Sequence, residues 1–261
     1  MTSDGAVVFV HAHPDDEAIF TGGTMARLAA TGTSTVLVVA TGGELGEVRP
    51  DFAADVSSPS ELAAVRREEC RRAAAELGCR DVRFLGYRDS GMAGDPANED
   101  PASFWTAPVP EAAARLAQLL SEVGASAVVG YDDHGIYHHP DHIQVTRVVE
   151  AAAAIAGIET VYGATVDREH LHFVETHVVE EAVLAGDLGL ARSRLGLSSV
   201  EIALTVDVSD FLVEKRRAMV AHASQIPESA SPLAMPPDHF ADVYGLEWYT
   251  RTGPEGPLET L

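Results

Sequence analysis

Short, fully apolar segments alternate with amphipathic segments over the first 165 residues, and this alternation limits the folds that the chain can adopt. Apolar runs of strand length predict buried β-strands, whereas apolar residues that recur at helical spacing predict helices. The predicted strands cover residues 6–10, 35–40, 82–85, 127–131 and 160–166. The predicted helices cover residues 17–30, 60–77, 110–123 and 143–156.

Strand followed by helix, repeated with fully apolar strands, is typical of an α/β fold. We therefore expect a three-layer, Rossmann-like, mostly parallel sheet with helices on both faces. Such sheets bind ligands in the loops beyond the carboxyl ends of their strands. The length of 261 residues fits a single domain, with a core over 6–166 and a cap or sheet extension over 167–261. Within this extension we expect a helix over 175–185, a strand over 200–206 and a helix over 209–223.

The composition is strongly acidic, with 40 Asp and Glu against 18 Lys and Arg and a formal net charge of −22. Because binding of nucleic acid requires clustered basic side chains, a nucleic-acid partner is not expected. The sequence shows no basic, apolar leader and no run of about 18 apolar residues, so we expect neither export by that route nor membrane insertion. Two cysteines, Cys70 and Cys79, are too few for a disulfide framework, which fits a reducing cytoplasm.

Titratable side chains crowd into the loop that follows the first predicted strand. The loop carries, in order, His11, His13, Pro14, Asp15, Asp16 and Glu17. One interpretation is structural, because carboxylates at a helix N-terminus cap the helix and oppose its dipole. That interpretation does not account for His13, which lies three residues before Asp16.

A second cluster follows the fourth predicted strand and repeats the pattern of the first. The tripeptide His-Pro-Asp occurs at 13–15, followed by Asp16, and again at 139–141, followed by His142. If strands one and four are neighbours, the two loops face each other across one crevice. Two imidazoles and one carboxylate suit a catalytic zinc site with an open position, whereas structural zinc sites are closed by four, usually sulfur-rich, ligands. The same donors also suit Fe²⁺, and no Gly-x-Gly-x-x-Gly turn is present to bind a dinucleotide.

The two motifs together resemble those of the zinc-dependent N-deacetylases known as the LmbE-like or PIG-L family. The resemblance covers roughly residues 6–165. Further segments, at 43–47, 66–69, 88–92 and 219–225, are similar to the mycothiol branch of that family, which contains the N-acetylglucosaminyl-inositol deacetylase and the mycothiol S-conjugate amidase. The sequence departs from that branch just before the second motif, so the resemblance leaves the substrate open.

The resemblance implies that His13, Asp16 and His142 bind zinc. It also implies that Asp15, which is adjacent to a ligand, is the general base. In that role Asp15 takes a proton from water and returns it to the leaving amine.

Other candidate residues carry alternatives. His139, in its protonated form, is the candidate for stabilising the oxyanion, and Asp141 would hold its tautomer and raise its pKa, unless Asp141 caps the following helix. Tyr137 resembles a mobile tyrosine that binds the reacting carbonyl, but it can equally be a packing tyrosine. Arg66 and Asp89 are candidates for binding sugar hydroxyls; the alternative for Arg66 is a solvated ion pair.

These features predict a hydrolase that removes an acetyl group from the 2-amino group of a glucosamine-containing small molecule. The alternatives are a mycothiol S-conjugate amidase, a natural-product N-deacetylase, and a protein that binds metal without catalysis. We expect His11 to be a core or supporting histidine, whereas the roles of His134 and His138 and the oligomeric state stay open. His222 could reach the pocket from the C-terminal part, although a lone histidine on a helix is usually structural.

Overall fold

The computed structural model describes residues 5–48, 52, 56–177, 195–226 and 231–261. These residues form one sheet of seven strands with helices packed against it. The strands are β1 (Ala6–His11), β2 (Thr35–Thr41), β3 (Asp81–Tyr87), β4 (Ala125–Tyr131), β5 (Thr160–Thr165), β6 (Leu204–Asp207) and β7 (Leu246–Thr252). The helices are α1 (Asp16–Phe20), α2 (Gly22–Ala30), α3 (Pro59–Glu76), α4 (Val109–Glu122), α5 (Gly135–His138), α6 (Pro140–Ala156), α7 (Arg168–His177), α8 (Leu212–Ala221), α9 (Ser231–Ala234) and α10 (Pro237–Tyr244).

The strands lie side by side in the order β3-β2-β1-β4-β5-β7-β6. Strands β1 to β5 pair in parallel, whereas β7 is antiparallel to both β5 and β6. The predicted α/β fold with a mostly parallel sheet is thereby confirmed. Because β2 and β3 lie on one side of β1 while β4 and β5 lie on the other, the loops after β1 and β4 meet at a topological switch point.

The sheet is covered by two groups of helices. Every residue of β1 and β2 is buried, which explains why their sequences are continuously apolar. Helix α6 packs on α4 and contacts β1, β4 and β5, whereas α1, α2 and α3 contact α8. The core includes the fully buried side chains of Phe9, Met25, Leu37, Leu116 and Leu120.

The first predicted helix is in fact two helices, α1 and α2, which are separated at Thr21. Thr21 has backbone angles of φ −136° and ψ 5°, outside the helical region. The carboxylate of Glu247 in β7 accepts hydrogen bonds from the N–H groups of Gly23 and Thr24, both at 2.8 Å, and Lys215 Nζ lies 2.6 Å from it. Negative charge stabilises a helix N-terminus, so a residue far along the chain fixes where α2 begins.

Residues 167–261 add β7 and β6 to the edge of the same sheet. The helix predicted over 175–185 overlaps the end of α7, and its residues from 178 onward lie outside the described residues. The predicted strand at 200–206 begins only at Leu204, because Glu201 accepts a hydrogen bond from the Ser198 N–H at 3.1 Å and closes a short turn. Sequence analysis did not anticipate α10 or β7. In the described parts of the chain, none of the helices combines the length and the apolar character needed to cross a membrane.

Candidate active site

The two loops with paired motifs lie next to each other at the carboxyl ends of β1 and β4. Asp16 Oδ2 is 3.5 Å from Nδ1 of His13 and 3.4 Å from Nε2 of His142. All three residues are buried. The structure therefore brings together the three side chains for which sequence analysis predicts metal binding.

The loop after β1 gives its two adjacent aspartates different partners. Asp15 has φ 115° and ψ −30°, a conformation that is rare for any residue except glycine. Asp16 Oδ2 accepts hydrogen bonds from the backbone N–H of His13 at 2.9 Å and from the hydroxyl of Tyr131 at 2.8 Å. Asp15 Oδ2 instead accepts one from Arg66 Nη2 at 3.1 Å. The side chain of Asp15 is 18% exposed, so it can reach a water molecule or a substrate.

Arg66, on α3, is buried and binds the loop after β1. Its Nη1 donates to the carbonyl of Gly43 at 2.5 Å, and its Nη2 donates to the carbonyl of Pro14 at 2.6 Å as well as to Asp15. This burial excludes the solvated ion pair that was the alternative for Arg66. The structure shows Arg66 orienting Asp15, and the expected contact with sugar hydroxyls stays a prediction.

The segment between β4 and α6, which contains the irregular single turn α5, is strained. Gly135, Ile136 and His138 have positive φ angles of 60°, 62° and 66°, and such angles are rare for a β-branched residue such as isoleucine. This loop carries Tyr137, whose hydroxyl lies 3.2 Å from His142 Nε2. The segment in which the sequence departs from the mycothiol branch is therefore adjacent to a predicted metal ligand.

A third loop, after β3, also contributes side chains to the site. Asp89 Oδ1 lies 3.6 Å from His13 Nε2, and Asp141 Oδ2 lies 3.2 Å from the same nitrogen. Ser90 donates to the carboxylate of Asp141 through its N–H at 3.0 Å and through its hydroxyl. Sequence analysis missed Ser90 as a site residue, and its position directly after Asp89 was the available signal.

Asp141 contacts His139 through its backbone and not through its carboxylate, contrary to expectation. The N–H of Asp141 donates to Nδ1 of His139 at 3.1 Å, so His139 caps α6. A ring nitrogen that accepts a hydrogen bond carries no proton, which makes His139 neutral with its proton on Nε2. Burial, followed by the charges of His13 and His142, lowers the pKa of His139 to about 2. The expectation that Asp141 raises this pKa is therefore wrong, because its carboxylate is engaged by Ser90 and His13.

The site carries an excess of negative charge. Four carboxylates surround the three histidines: Asp15, Asp16, Asp89 and Asp141. Burial raises the pKa of Asp15 to about 6, and Arg66 offsets this effect only in part. Burial also disfavours the ionised form of Asp16, but the neighbouring His142 and His13 hold its pKa well below the usual range. A divalent cation would offset this negative charge.

The donor atoms of the site fit such a cation. One ring nitrogen from each of His13, His139 and His142 lies within 4.8 Å of the others, and the same holds for one donor atom each from His13, Asp89 and Asp141. Mixed imidazole and carboxylate donors are those found in catalytic zinc sites. Nε2 of His142 is the ring nitrogen that faces Asp16, whereas its Nδ1, on the other side of the ring, is buried without a hydrogen-bond partner among the described residues.

The remaining histidines of the two motif loops have other surroundings. The ring nitrogens of His11 contact the hydroxyls of Tyr131 at 3.0 Å and Thr21 at 2.9 Å, the arrangement expected of a supporting histidine. Burial lowers the pKa of His11 to about 4, so its ring is neutral at pH 7. His134 and His138 lie against each other, with ring centroids 5.4 Å apart, and neither belongs to the two donor groups.

The structure also contains a buried pair, His222 and Glu17, whose contact was not predicted from the sequence. Nε2 of His222 lies 2.6 Å from Oε1 of Glu17, and both side chains are fully buried. Ser224 donates its N–H and its hydroxyl to Glu69 at 2.8 and 2.6 Å. No local pattern links position 222 to position 17, because the contact depends on the packing of α8 against α1 and α3.

Comparisons with known proteins show which family the chain resembles. Residues 8–153 match the family model described as PIG-L, GlcNAc-PI de-N-acetylase. The chain is 41% identical to the 1D-myo-inositol 2-acetamido-2-deoxy-alpha-D-glucopyranoside deacetylase of Nocardiopsis dassonvillei, over 93% of this chain and 92% of that protein. It is 38% identical to the protein of the same name from Thermobifida fusca, over 97% of both chains. The solved N,N'-diacetylchitobiose deacetylase from Pyrococcus horikoshii shares the fold, with a TM-score of 0.61, 23% identity, and coverage of 95% of this chain and 84% of that one. The resemblance noted from the motifs is thereby confirmed, and the chain belongs to the PIG-L family of de-N-acetylases.

Proposed function

We propose that the protein is a zinc-dependent hydrolase that removes the acetyl group from the 2-amino group of a glucosamine-containing small molecule, with N-acetylglucosaminyl-inositol as the first candidate. One observation carries the proposal. Asp16 Oδ2 lies within 3.5 Å of the imidazoles of His13 and His142, whereas the adjacent Asp15 is bound by Arg66 and is partly exposed. These different partners support metal binding by Asp16 and proton transfer by Asp15. The name of the relatives from N. dassonvillei and T. fusca supports the choice of substrate.

His13, Asp16 and His142 are the proposed ligands of Zn²⁺. Two neutral imidazoles and one carboxylate leave positive charge on the site and a coordination position free. A bound Zn²⁺ supplies Lewis-acid chemistry, which makes water a nucleophile near neutral pH and polarises an amide carbonyl. Fe²⁺ is compatible with the same donors. The hydroxyl of Tyr131 orients the Asp16 carboxylate in advance.

Asp15 is the proposed general base. It accepts a proton from the attacking water while the water oxygen forms a bond to the amide carbon. Asp15 then donates this proton to the amide nitrogen as the carbon–nitrogen bond breaks, which releases acetate and the free amine. Because burial raises its pKa to about 6, the Asp15 carboxylate is a stronger base than an ordinary aspartate and is still ionised at pH 7.

His139 and Tyr137 are proposed to stabilise the negative charge that develops on the amide oxygen. Nδ1 of His139 accepts from the backbone of Asp141, so its free donor is the Nε2–H group. The hydroxyl of Tyr137 is a second donor, because it lies beside the predicted ligand His142. A single donor of this kind contributes about 10²- to 10³-fold to kcat in other enzymes. The carboxylate of Asp141 orients His13, and Asp89 is proposed to bind sugar hydroxyls.

The test is a comparison of amine release from N-acetylglucosaminyl-inositol, simple N-acetylglucosaminides and mycothiol S-conjugates by the zinc-loaded protein. We expect the highest kcat/KM for an acetylated glucosamine and loss of turnover on chelation. Faster cleavage of the thiol conjugates would reassign the same site to an amidase. Hydrolysis that persists both without metal and in the Asp15→Asn variant would overturn the proposal.

A further inference from the structure

We infer that His222 is a positioning residue, which acts through Glu17 on the backbone of Asp15 and keeps the general base in place. The inference rests on the proposed function, because it takes Asp15 as the base. It connects two parts of the chain that are far apart in sequence, since Glu17 and His222 are separated by 205 residues.

Asp15 needs such support because its backbone is strained. A non-glycine residue at φ 115° keeps this conformation only when its surroundings fix it. The N–H of Asp15 donates to Oε2 of Glu17 at 3.0 Å. On the other side, Arg66 binds both the carbonyl of Pro14 and the carboxylate of Asp15. The strained residue is therefore held at its N–H by Glu17 and at its side chain by Arg66.

Glu17 can fill this role only while its own charge is compensated. Its side chain is fully buried, and a buried carboxylate is stable when it is paired and hydrogen-bonded. One oxygen accepts from Asp15, and the other lies 2.6 Å from Nε2 of His222. Without His222, the second oxygen would lose this partner, and the carboxylate would turn towards other donors. That movement weakens its hold on the backbone of Asp15.

His222 is itself fixed by the segment that follows α8. Ser224 is clamped by two hydrogen bonds to Glu69 on α3, the helix that also carries Arg66. The N–H of Ile226 donates to the carbonyl of His222 at 2.8 Å and tightens the turn. The two supports of Asp15 are thus tied to each other through the C-terminal part of the chain.

A purely structural histidine would serve only to fill space, and this alternative makes different predictions. An apolar side chain would then replace His222 with little loss of activity. A positioning residue must donate a hydrogen bond at the place of Nε2. Glutamine can do so, because its amide nitrogen lies about as far from the backbone as Nε2, whereas asparagine is too short and leucine has no donor.

The experiment measures kcat, KM and bound zinc for His222→Leu, His222→Asn and His222→Gln with an acetylated glucosamine substrate. We expect the leucine and asparagine variants to lose about 10- to 100-fold in kcat, as is typical for residues that orient a catalytic group, with KM and zinc content nearly unchanged. The glutamine variant should regain most of the loss. Lys215→Met is the matched control, because it breaks a different buried ion pair, between Lys215 on α8 and Glu247, and should leave kcat within about threefold. Wild-type kcat in all three His222 variants would overturn the inference.

A double-mutant cycle tests whether His222 acts through Glu17. If it does, kcat of the Glu17→Ala, His222→Leu double variant equals that of Glu17→Ala alone. A double variant whose loss in kcat equals the product of the two single losses would refute the action of His222 through Glu17.

A readout without turnover separates this inference from the proposed function. Amide hydrogen exchange of Asp15 is followed by NMR in the metal-free protein and expressed relative to the amides of the buried strand β1, so that a general loss of stability cancels. This ratio should rise at least about tenfold in His222→Leu and stay unchanged in Lys215→Met. If the wild type deacetylates no acetylated glucosamine, the proposed function fails, whereas the exchange rates still decide the role of His222. An Asp15 amide that stays protected in His222→Leu would refute that role.

Discussion

Replacing Asp15 by asparagine is expected to stabilise the metal-free protein while it removes the activity. Asparagine has nearly the shape of aspartate and tolerates positive φ better than most residues, so the strained backbone can persist. Its amide oxygen can still accept the hydrogen bond that Arg66 donates at 3.1 Å. Alanine would lose both advantages, which makes Asp15→Asn the more informative variant. The substitution therefore removes the charge and the basicity of the side chain and little else.

The size of the stabilisation follows from the raised pKa. Burial raises the pKa of Asp15 from 3.8 to about 6. A shift of about two units means that folding disfavours the ionised side chain by roughly 3 kcal/mol. The folded state binds the proton more tightly than the unfolded chain does, so this cost is absent below about pH 4, grows up to about pH 6 and is complete above it. Asparagine does not carry the cost, and we expect a gain of about 3 kcal/mol at pH 8 and about half of that at pH 5.

The assay is urea unfolding of chelator-treated wild type and Asp15→Asn at both pH values. Asp133→Asn is the control, because it makes the same charge change at an exposed position and should stay within about 0.5 kcal/mol of wild type. In the zinc-loaded enzyme, Asp15→Asn should lower kcat by about 10²- to 10⁴-fold. A stability gain that does not shrink at pH 5 would refute the raised pKa of Asp15 as its source. A kcat within tenfold of wild type would refute the role as base.

Three further predictions address the metal and the packing. His142→Ala should abolish stoichiometric zinc binding, measured by elemental analysis. His139→Ala should keep the metal and lower kcat by about 10²- to 10³-fold. Loss of metal from both variants would contradict the proposed ligand set. Tyr131→Phe removes the hydroxyl that binds Asp16 and should weaken zinc affinity by about 10- to 100-fold in a competition titration, and an unchanged affinity would count against the proposed orienting role. Lys215→Met leaves the buried carboxylate of Glu247 without its cation and should cost about 3 kcal/mol in urea unfolding, a result that an unchanged midpoint would contradict.

The arrangement of the parallel half of the fold could be predicted because its signals are local. The apolar runs of β1 and β4 are buried strands. Because these strands are adjacent in the sheet, the loops with His13 and His142 lie together. The same reasoning could not assign the partner of Asp141. Its carboxylate binds Ser90 from a third loop, and no spacing within the second motif indicates which loop lies opposite.

The C-terminal part was harder to predict because its contacts join distant positions. The end of α1 and the start of α2 depend on Glu247, and the surroundings of Glu17 depend on His222. Neither contact leaves a periodic pattern in the sequence near residue 20. The strand β6 is shorter than the predicted 200–206, because the N–H of Ser198 donates a hydrogen bond to the side chain of Glu201. Local turns of this kind compete with strand pairing.

The order of the last two strands has a consequence for how the chain is made. β6 ends at Asp207, whereas β7 begins at Leu246, yet among the strands of the described residues β6 pairs with β7 alone. During translation, β6 leaves the ribosome well before β7, so the backbone N–H and C=O groups of β6 stay without their strand partner in the meantime. The nascent protein therefore carries an open sheet edge at β5 until β7 (Leu246–Thr252) has been synthesised, and open edges invite association with other chains. Chaperone binding to ribosome-bound chains should accordingly drop once β7 has emerged.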